Sequence, residues 1–168
     1  IVGTGARARE VGRKVQKGRG PDVTVSVSIH VPKPHTPFQW AAMDDKETVL
    51  RKQAWLKEDA FAHHVKLRMH PSDGSWLEGV LARGDRTLAD VIERAWQRGA
   101  RFDSWEEHMD WGRWAEAFEE TGVDGTRFLG TIPVTARLPW DHLSVGLEDG
   151  FLAREYKKAL ASRLSPPC

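Results

Sequence analysis

Hydrophobic residues recur along this chain in two periods, and the switch between them predicts an α/β molecule. From Thr4 to Lys17, Ala8, Val11 and Val15 fall at helical spacing, Arg7, Arg9, Arg13, Lys14 and Lys17 supply a solvated face, and Gly18 supplies a stop. After the break at Gly18-Arg19-Gly20-Pro21 the period becomes two. Val23, Val25, Val27, Ile29 and Val31 alternate with Thr24, Ser26, Ser28 and His30, which predicts a strand over 23–31. A helix packed on its apolar side leaves small hydroxyls facing a lumen or cleft, an arrangement that suits a parallel α/β barrel holding a ligand. A solvated edge strand is the plain alternative. Pro32, Pro34 and Pro37 then remove backbone donors, so 31–40 is expected to be a stiff extended loop. Loops after the carboxyl ends of parallel strands are where α/β architectures bind ligands, which makes this position informative.

Beyond the loop the helical period dominates. Asp44 or Asp45 caps a helix to about Ala60 with Val49, Leu50, Leu56 and Ala60 inward. Residues 65–69 alternate as a short strand whose second face is basic. Ser72 or Asp73 opens a helix carrying Trp76, Leu77, Val80 and Leu81, closed by Gly84. Thr87 and Asp90 stand at capping-box spacing before Leu88, Val91, Ile92, Ala95 and Trp96, with Gly99 at the end. Ser104 and Glu107 repeat that spacing before Trp105, Trp111, Trp114, Ala115 and Phe118, up to Gly122. Asp149 starts a last helix with Leu152, Tyr156, Ala159 and Leu160 inward. The expected organisation is a helix–strand unit over 1–42 and a mainly helical region over 43–168 with one short strand. One helix and one strand cannot bury both faces of a barrel strand, so the first unit is expected to need neighbours that lie upstream of this sequence. The first residue is Ile1 and the last is Cys168 after Pro166 and Pro167, so both ends read as cut.

Composition narrows the function classes. With 168 residues, 25 Lys and Arg against 24 Asp and Glu, and 40% apolar residues, the chain suits one domain or slightly more with a buried core. That balance excludes an acidic tail, a bulk basic nucleic-acid module and a disordered polyelectrolyte. One cysteine excludes an internal disulfide and a self-contained Cys-ligated zinc or iron–sulfur site. No run approaches the roughly 20 apolar residues of a membrane span, and 1–20 lacks the apolar core of a signal peptide, so a cytoplasmic protein without a membrane partner is expected.

The run VSVSIHVPKPHTPFQW at 25–40 resembles the end of the catalytic barrel in radical S-adenosylmethionine (SAM) enzymes, particularly their cobalamin-binding-domain and methylthiotransferase-like branches. There it forms the last barrel strand and the loop after it. LARGDRTLADVIERAW at 81–96, and LPWDH at 138–142 leading into FLARE at 151–155, narrow the likeness to the C-terminal part of a bacterial family of B12-binding-domain radical SAM proteins. The three segments occur in the family's order and cover nearly the whole chain. This chain departs from the pattern at His30, where the family carries phenylalanine.

The resemblance implies the last helix–strand unit of a radical SAM barrel, a partial TIM-type barrel, over 1–42, and a helical C-terminal extension over 43–168. Upstream it implies a cobalamin-type domain and the rest of the barrel, with a C-x-x-x-C-x-x-C motif holding a [4Fe–4S] cluster. That cluster binds S-adenosylmethionine and, with an electron donor, cleaves it to a 5′-deoxyadenosyl radical; cobalamin is the further cofactor of this branch. The motif is not in this sequence, so the fragment alone is expected to be inactive, to carry no catalytic residue, and to close the barrel and shape the substrate entrance of its parent. Ser28 and His30 are then the positions expected to approach cofactor or substrate, and Lys33 and His35 to line the entrance. A lysine there meets a carboxylate or phosphate and a histidine exchanges protons near neutrality; a rigid linker anchored by Phe38 and Trp40 is the plain alternative. Cys168 is a candidate ligand of a metal site further downstream. The same barrel-end run fits a methylthiotransferase-like enzyme acting on RNA or protein. That reading predicts a compact β-barrel RNA-binding module, against which the helical pattern of 44–122 speaks. A non-catalytic docking module is the alternative from another class.

Three further groups invite chemistry. His63, His64 and His70 invite a metal, but adjacent histidines on an alternating strand point to opposite faces, so solvated side chains are expected. Trp105, Trp111, Trp114 and Phe118 invite base stacking, but with Glu106, Glu107, Asp110, Glu116, Glu119 and Glu120 interleaved they are expected in the core, and a nucleic-acid partner is not expected. Asp141 and His142 are expected to form a structural clasp.

Overall fold

The computed structural model describes residues 1–16, 20–105 and 107–165. Among them the chain is α/β and about half helical, with six α-helices and one two-stranded parallel sheet. It divides into two compact units, Ile1–His30 with Asp44–Ser75, and Val31–Met43 with Trp76–Cys168. No described helix is long and apolar enough to cross a membrane.

The first unit runs α1 (Val2–Val15), β1 (Thr24–Val27), α2 (Lys46–Ala62) and β2 (Lys66–Met69). The strand expected over 23–31 is hydrogen-bonded only over its first part. It finds a neighbour within this chain, since β1 lies parallel to β2 with Thr24 opposite Lys66 and Val27 opposite Met69. Its in–out alternation continues past the ladder, with Ile29 and Val31 half-buried and Ser28 and His30 exposed. Among the described residues the sheet stops at two strands, so no barrel is present in them.

α1 packs on β1 and α2 through a face that the hydrophobic period does not pick out. Val11 and Val15 are 60% and 82% exposed, and Ala8 is exposed as well, whereas Val2 and Gly5 are buried. Steric fit decides this. A Cβ on Gly5 would stand 2.5 Å from Val25 Cγ2 and 3.2 Å from Val65 Cγ1, so only the Val2–Gly5–Ala6 face lets the helix backbone reach the sheet. The expected stop at Gly18, and Lys17 beside it, lie outside the described residues. α2 starts as expected, its Asp45 carboxylate accepting the Thr48 N–H at 2.7 Å. Val49 and Ala60 are buried and Leu56 packs behind them, but Leu50 is half exposed. His63 and His64 stand at the C-terminal end of α2 rather than on a strand, with His63 Nε2 3.3 Å from Asp59 Oδ1 and His64 in the left-handed region.

α3 (Ser72–Arg83) leads the chain into the second unit, which continues through α4 (Leu88–Gln97), α5 (Trp111–Thr121) and α6 (Phe151–Leu160). The expected capping box at Thr87 does not form. The Asp85 carboxylate accepts both the N–H and the hydroxyl of Thr87, at 2.9 and 2.6 Å, so Asp85 closes the turn that starts α4. Ile92 and Trp96 are exposed on that helix while Leu88, Val91 and Ala95 are buried. The box expected at Ser104 is replaced by Asp110, which accepts from Gly112 N at 3.0 Å and starts α5 six residues later than the period suggests. Trp105 is consequently 60% exposed and outside the core, and Glu106 lies outside the described residues. Trp114 and Phe118 are buried as expected, and Trp76 meets Trp111 and Phe118 edge-on at 5.2 and 5.3 Å. Gly122, with φ 64°, closes α5 in the left-handed conformation that glycine adopts without strain. α6 is capped by Gly150 rather than Asp149, and its Leu160 is exposed.

Two predictions follow from these contacts. Gly5→Ala is expected to cost about 1–3 kcal/mol through overpacking, whereas Gly3→Ala on the same helix, with nothing within 4 Å, is expected to gain about 0.5 kcal/mol; urea unfolding of both variants checks this. The second concerns acid. The Thr48 N–H lowers the pKa of Asp45, and the hydroxyl and then the N–H of Thr87 and of Thr126 lower those of Asp85 and Asp124. Folded-state values below the unfolded value of about 3.9 mean that this stabilisation is complete above pH 4 and is lost as pH falls through the folded values. The urea midpoint should therefore drop in acid below about pH 4, and the combined Asp85→Asn, Asp124→Asn variant should show a smaller drop.

Candidate functional site

In the first unit the candidate surface is the sheet face opposite the helices. Val25 and Leu67 turn toward Val2, Ala60 and Val65 beneath α1 and α2. The strand period of two then sends Thr24, Ser26, Lys66 and Arg68 to the other side, where all four are exposed. Register sets Thr24 beside Lys66 and Ser26 beside Arg68. Lys66 Nζ lies 2.9 Å from Asp22 Oδ2. Ser28 and His30 continue this exposed series beyond the carboxyl end of β1. Sequence reasoning recognised the hydroxyl face and the basic face separately; their adjacency depends on a strand pairing that the pattern does not reveal.

In the second unit the proline-rich segment is held by a side chain that sequence reasoning did not single out. Gln39, only 4% exposed, accepts two hydrogen bonds on Oε1: the His35 N–H at 3.0 Å and Trp140 Nε1–H at 2.8 Å. This closes a turn in which His35 takes φ 56° and Thr36 Oγ1 donates to the Lys33 carbonyl at 2.8 Å. Trp40 joins Leu138, Trp140 and Tyr156 in a buried cluster, and Phe38 meets the edge of Tyr156 at 5.9 Å. Of the two expected anchors Trp40 is buried, while Phe38 keeps two-fifths of its surface exposed. A further clamp comes from Arg83, 2% exposed, whose Nη2 donates to the Gly130 carbonyl at 2.7 Å while burial lowers its pKa. Met43 N–H to the Leu129 carbonyl and Ile132 N–H to the Trp40 carbonyl, both 2.9 Å, tie the same strands of chain together.

Lys33 is in an ion pair with Glu78 of α3, and the imidazole Nε2 of His35 is buried without a hydrogen-bond partner among the described residues. Ser28 and His30 belong to the first unit, Lys33 and His35 to the second. Asp141 Oδ2 accepts the Leu138 N–H at 2.7 Å, and His142 Nδ1 lies 3.0 Å from the Pro139 carbonyl, so LPWDH closes on itself. A cleft of about 680 Å³ beside the N-terminus of α5 is lined by Arg101, Phe102, His108 and Arg113 among others. Its cations are already engaged: Arg101 Nη1 donates to the carbonyls of Trp96 and Ala100, and Arg113 to Gly99 and Asp110.

No group of three His, Cys, Asp or Glu side chains among the described residues is placed to hold a metal ion, and Cys168 lies outside them. The residues described here therefore do not fit as cluster ligands. No family model matches this chain, and neither a curated protein nor a solved structure matches it.

Gln39→Leu is expected to destabilise the protein by about 2–4 kcal/mol, because it strands two buried donors worth about 1–3 kcal/mol each. Measured against Trp140→Phe in a double-mutant cycle by urea unfolding, the pair should couple by about 1 kcal/mol.

Proposed function

We propose that this chain is the C-terminal part of a radical SAM enzyme, closing its barrel and shaping the substrate entrance. The observation that carries the reading is the helix–strand–helix–strand order of the first unit, with a parallel strand pair and both helices on one face. An open doubly wound sheet places helices on both faces, whereas a parallel barrel places them on one and turns the other inward. The exposed stripe of Ala8, Val11 and Val15 on α1 supports the same reading, since helices of a barrel ring also pack against their neighbours in the ring. The 25–40 run, with its likeness to the barrel end of such enzymes, supplies the chemistry that the fold alone leaves open.

In the intact protein an iron–sulfur cluster, held by cysteines outside this sequence, would supply the radical chemistry together with S-adenosylmethionine, and cobalamin would be a further cofactor. Within this chain, Ser28 and His30 supply hydrogen bonds to cofactor or substrate. Lys33 is braced by Glu78, and its loop, stiffened by three prolines and seated on Trp40, keeps the entrance in one shape. His35 belongs to the same turn, held through its backbone N–H by Gln39.

The test is anaerobic purification of the protein expressed together with the region upstream of Ile1, cluster reconstitution, and incubation with S-adenosylmethionine and dithionite. The intact protein is expected to release 5′-deoxyadenosine and the 168-residue chain none. An upstream region without the cysteine motif, or an intact protein that releases no 5′-deoxyadenosine, overturns the reading in favour of a non-catalytic docking module.

A further inference from the structure

We infer that the bare face of the β1–β2 pair binds an anionic group, a phosphate or a carboxylate, held between the Arg68 guanidinium and the Ser26 hydroxyl; this deepens the barrel reading and rests on it. Ser26 and Arg68 are register partners, so their backbones lie about 4.8 Å apart and their side chains leave the sheet on the same side. The side chains of that face are Asp22, Thr24, Ser26, Ser28 and His30 from one stretch and Lys66, Arg68 and His70 from the other, all exposed. None is apolar, so the face is no seat for a helix, although parallel sheets are ordinarily covered on both sides. Charge selects the occupant. Asp22 answers Lys66, while Arg68 makes no ion pair or hydrogen bond with any described residue. A guanidinium offers two parallel donors to two oxygens of one anion, and the neighbouring hydroxyl offers a donor to a third. Both groups stand one residue from the carboxyl end of the ladder, the end at which parallel sheets bind their ligands.

The test uses the ¹⁵N-labelled 168-residue chain, titrated at constant ionic strength with inorganic phosphate in one arm and acetate in the other. Saturable amide shifts centred on Ser26, Ser28 and Arg68 are expected, and the tighter arm identifies the anion class. Arg68→Met is expected to weaken binding at least tenfold, with Ser26→Ala weakening it less. Because Arg68 is exposed, its variant should keep the wild-type melting temperature, which is measured alongside. Shifts that do not saturate, or that persist unchanged in Arg68→Met, overturn the inference. If the intact protein releases 5′-deoxyadenosine while phosphate and acetate ignore Arg68, the anion site falls and the radical reading stands. If an anion saturates at Arg68 but no 5′-deoxyadenosine is formed, the anion site stands and the radical chemistry falls.

Discussion

The first unit depends on the missing side chain at Gly5. Backbone-to-sheet approach at that point is what allows one helix to cover Val25 and Val65 at once, and a larger residue forces either the Val25 side chain or the helix to shift. Gly12, which sits against Pro21, repeats the condition further along α1. With α1 held there and α2 beside it, Val2, Ala60 and Val65 close a small dry core on one face of the sheet. Full burial of a side chain such as Val2 is worth roughly 1.5–3 kcal/mol, so a core centred on two valines and an alanine leaves little to spare if the helix shifts. Everything polar on β1 and β2 is sorted to the opposite face by the same contact.

The second unit answers a different problem. A segment with prolines at 32, 34 and 37 has too few N–H groups to join a sheet, and a left-handed His35 costs about 1 kcal/mol in addition. Gln39 substitutes for the absent ladder by placing one carbonyl oxygen between the turn and Trp140. Its amide is almost fully buried, where a satisfied hydrogen bond is strong and an unsatisfied one is expensive. Arg83 adds a second tie through one nitrogen, Nη2, which reaches the Gly130 carbonyl and fixes the stretch of chain that Trp40 and Met43 bond to, while its Nε and Nη1 are buried without a partner among the described residues.

Element type was largely legible in the sequence; facing and pairing were legible only in part. Strict alternation over 23–31 revealed which residues of β1 share a side, and that sorting holds beyond the hydrogen-bonded stretch. For α1 the period pointed the wrong way, because the criterion that places the helix is smallness at Gly5 and Gly12, and glycine carries no weight in a hydrophobic pattern. The capping boxes at Thr87 and Ser104 matched by spacing alone. In both cases an aspartate nearby, Asp85 or Asp110, accepts from the backbone with better geometry. Gln39 was invisible as a hub because its partners are a backbone N–H four residues earlier and an indole 101 residues later. Arg68 stands on a basic face in the sequence pattern, but its neighbour Ser26 belongs to a strand separated from it by the 38 residues between β1 and β2.

A two-stranded sheet is marginal unless something packs on it, and among the described residues the apolar packing of this sheet lies on one side. That has a consequence for how the other side can vary. Thr24, Ser26, Lys66 and Arg68 lie away from the dry core, so their identities are free of the constraint that fixes Gly5, Val25 and Val65. A face whose residues are not needed for packing, yet which carries hydroxyls and a cation in register, is better placed for recognition than for stability. The separation is built into the strand period: the odd-numbered positions of β1 and β2 serve the core and the even-numbered ones remain for chemistry. Substitutions on that face should therefore change what the sheet meets while leaving α1, α2 and the ladder between them as they are.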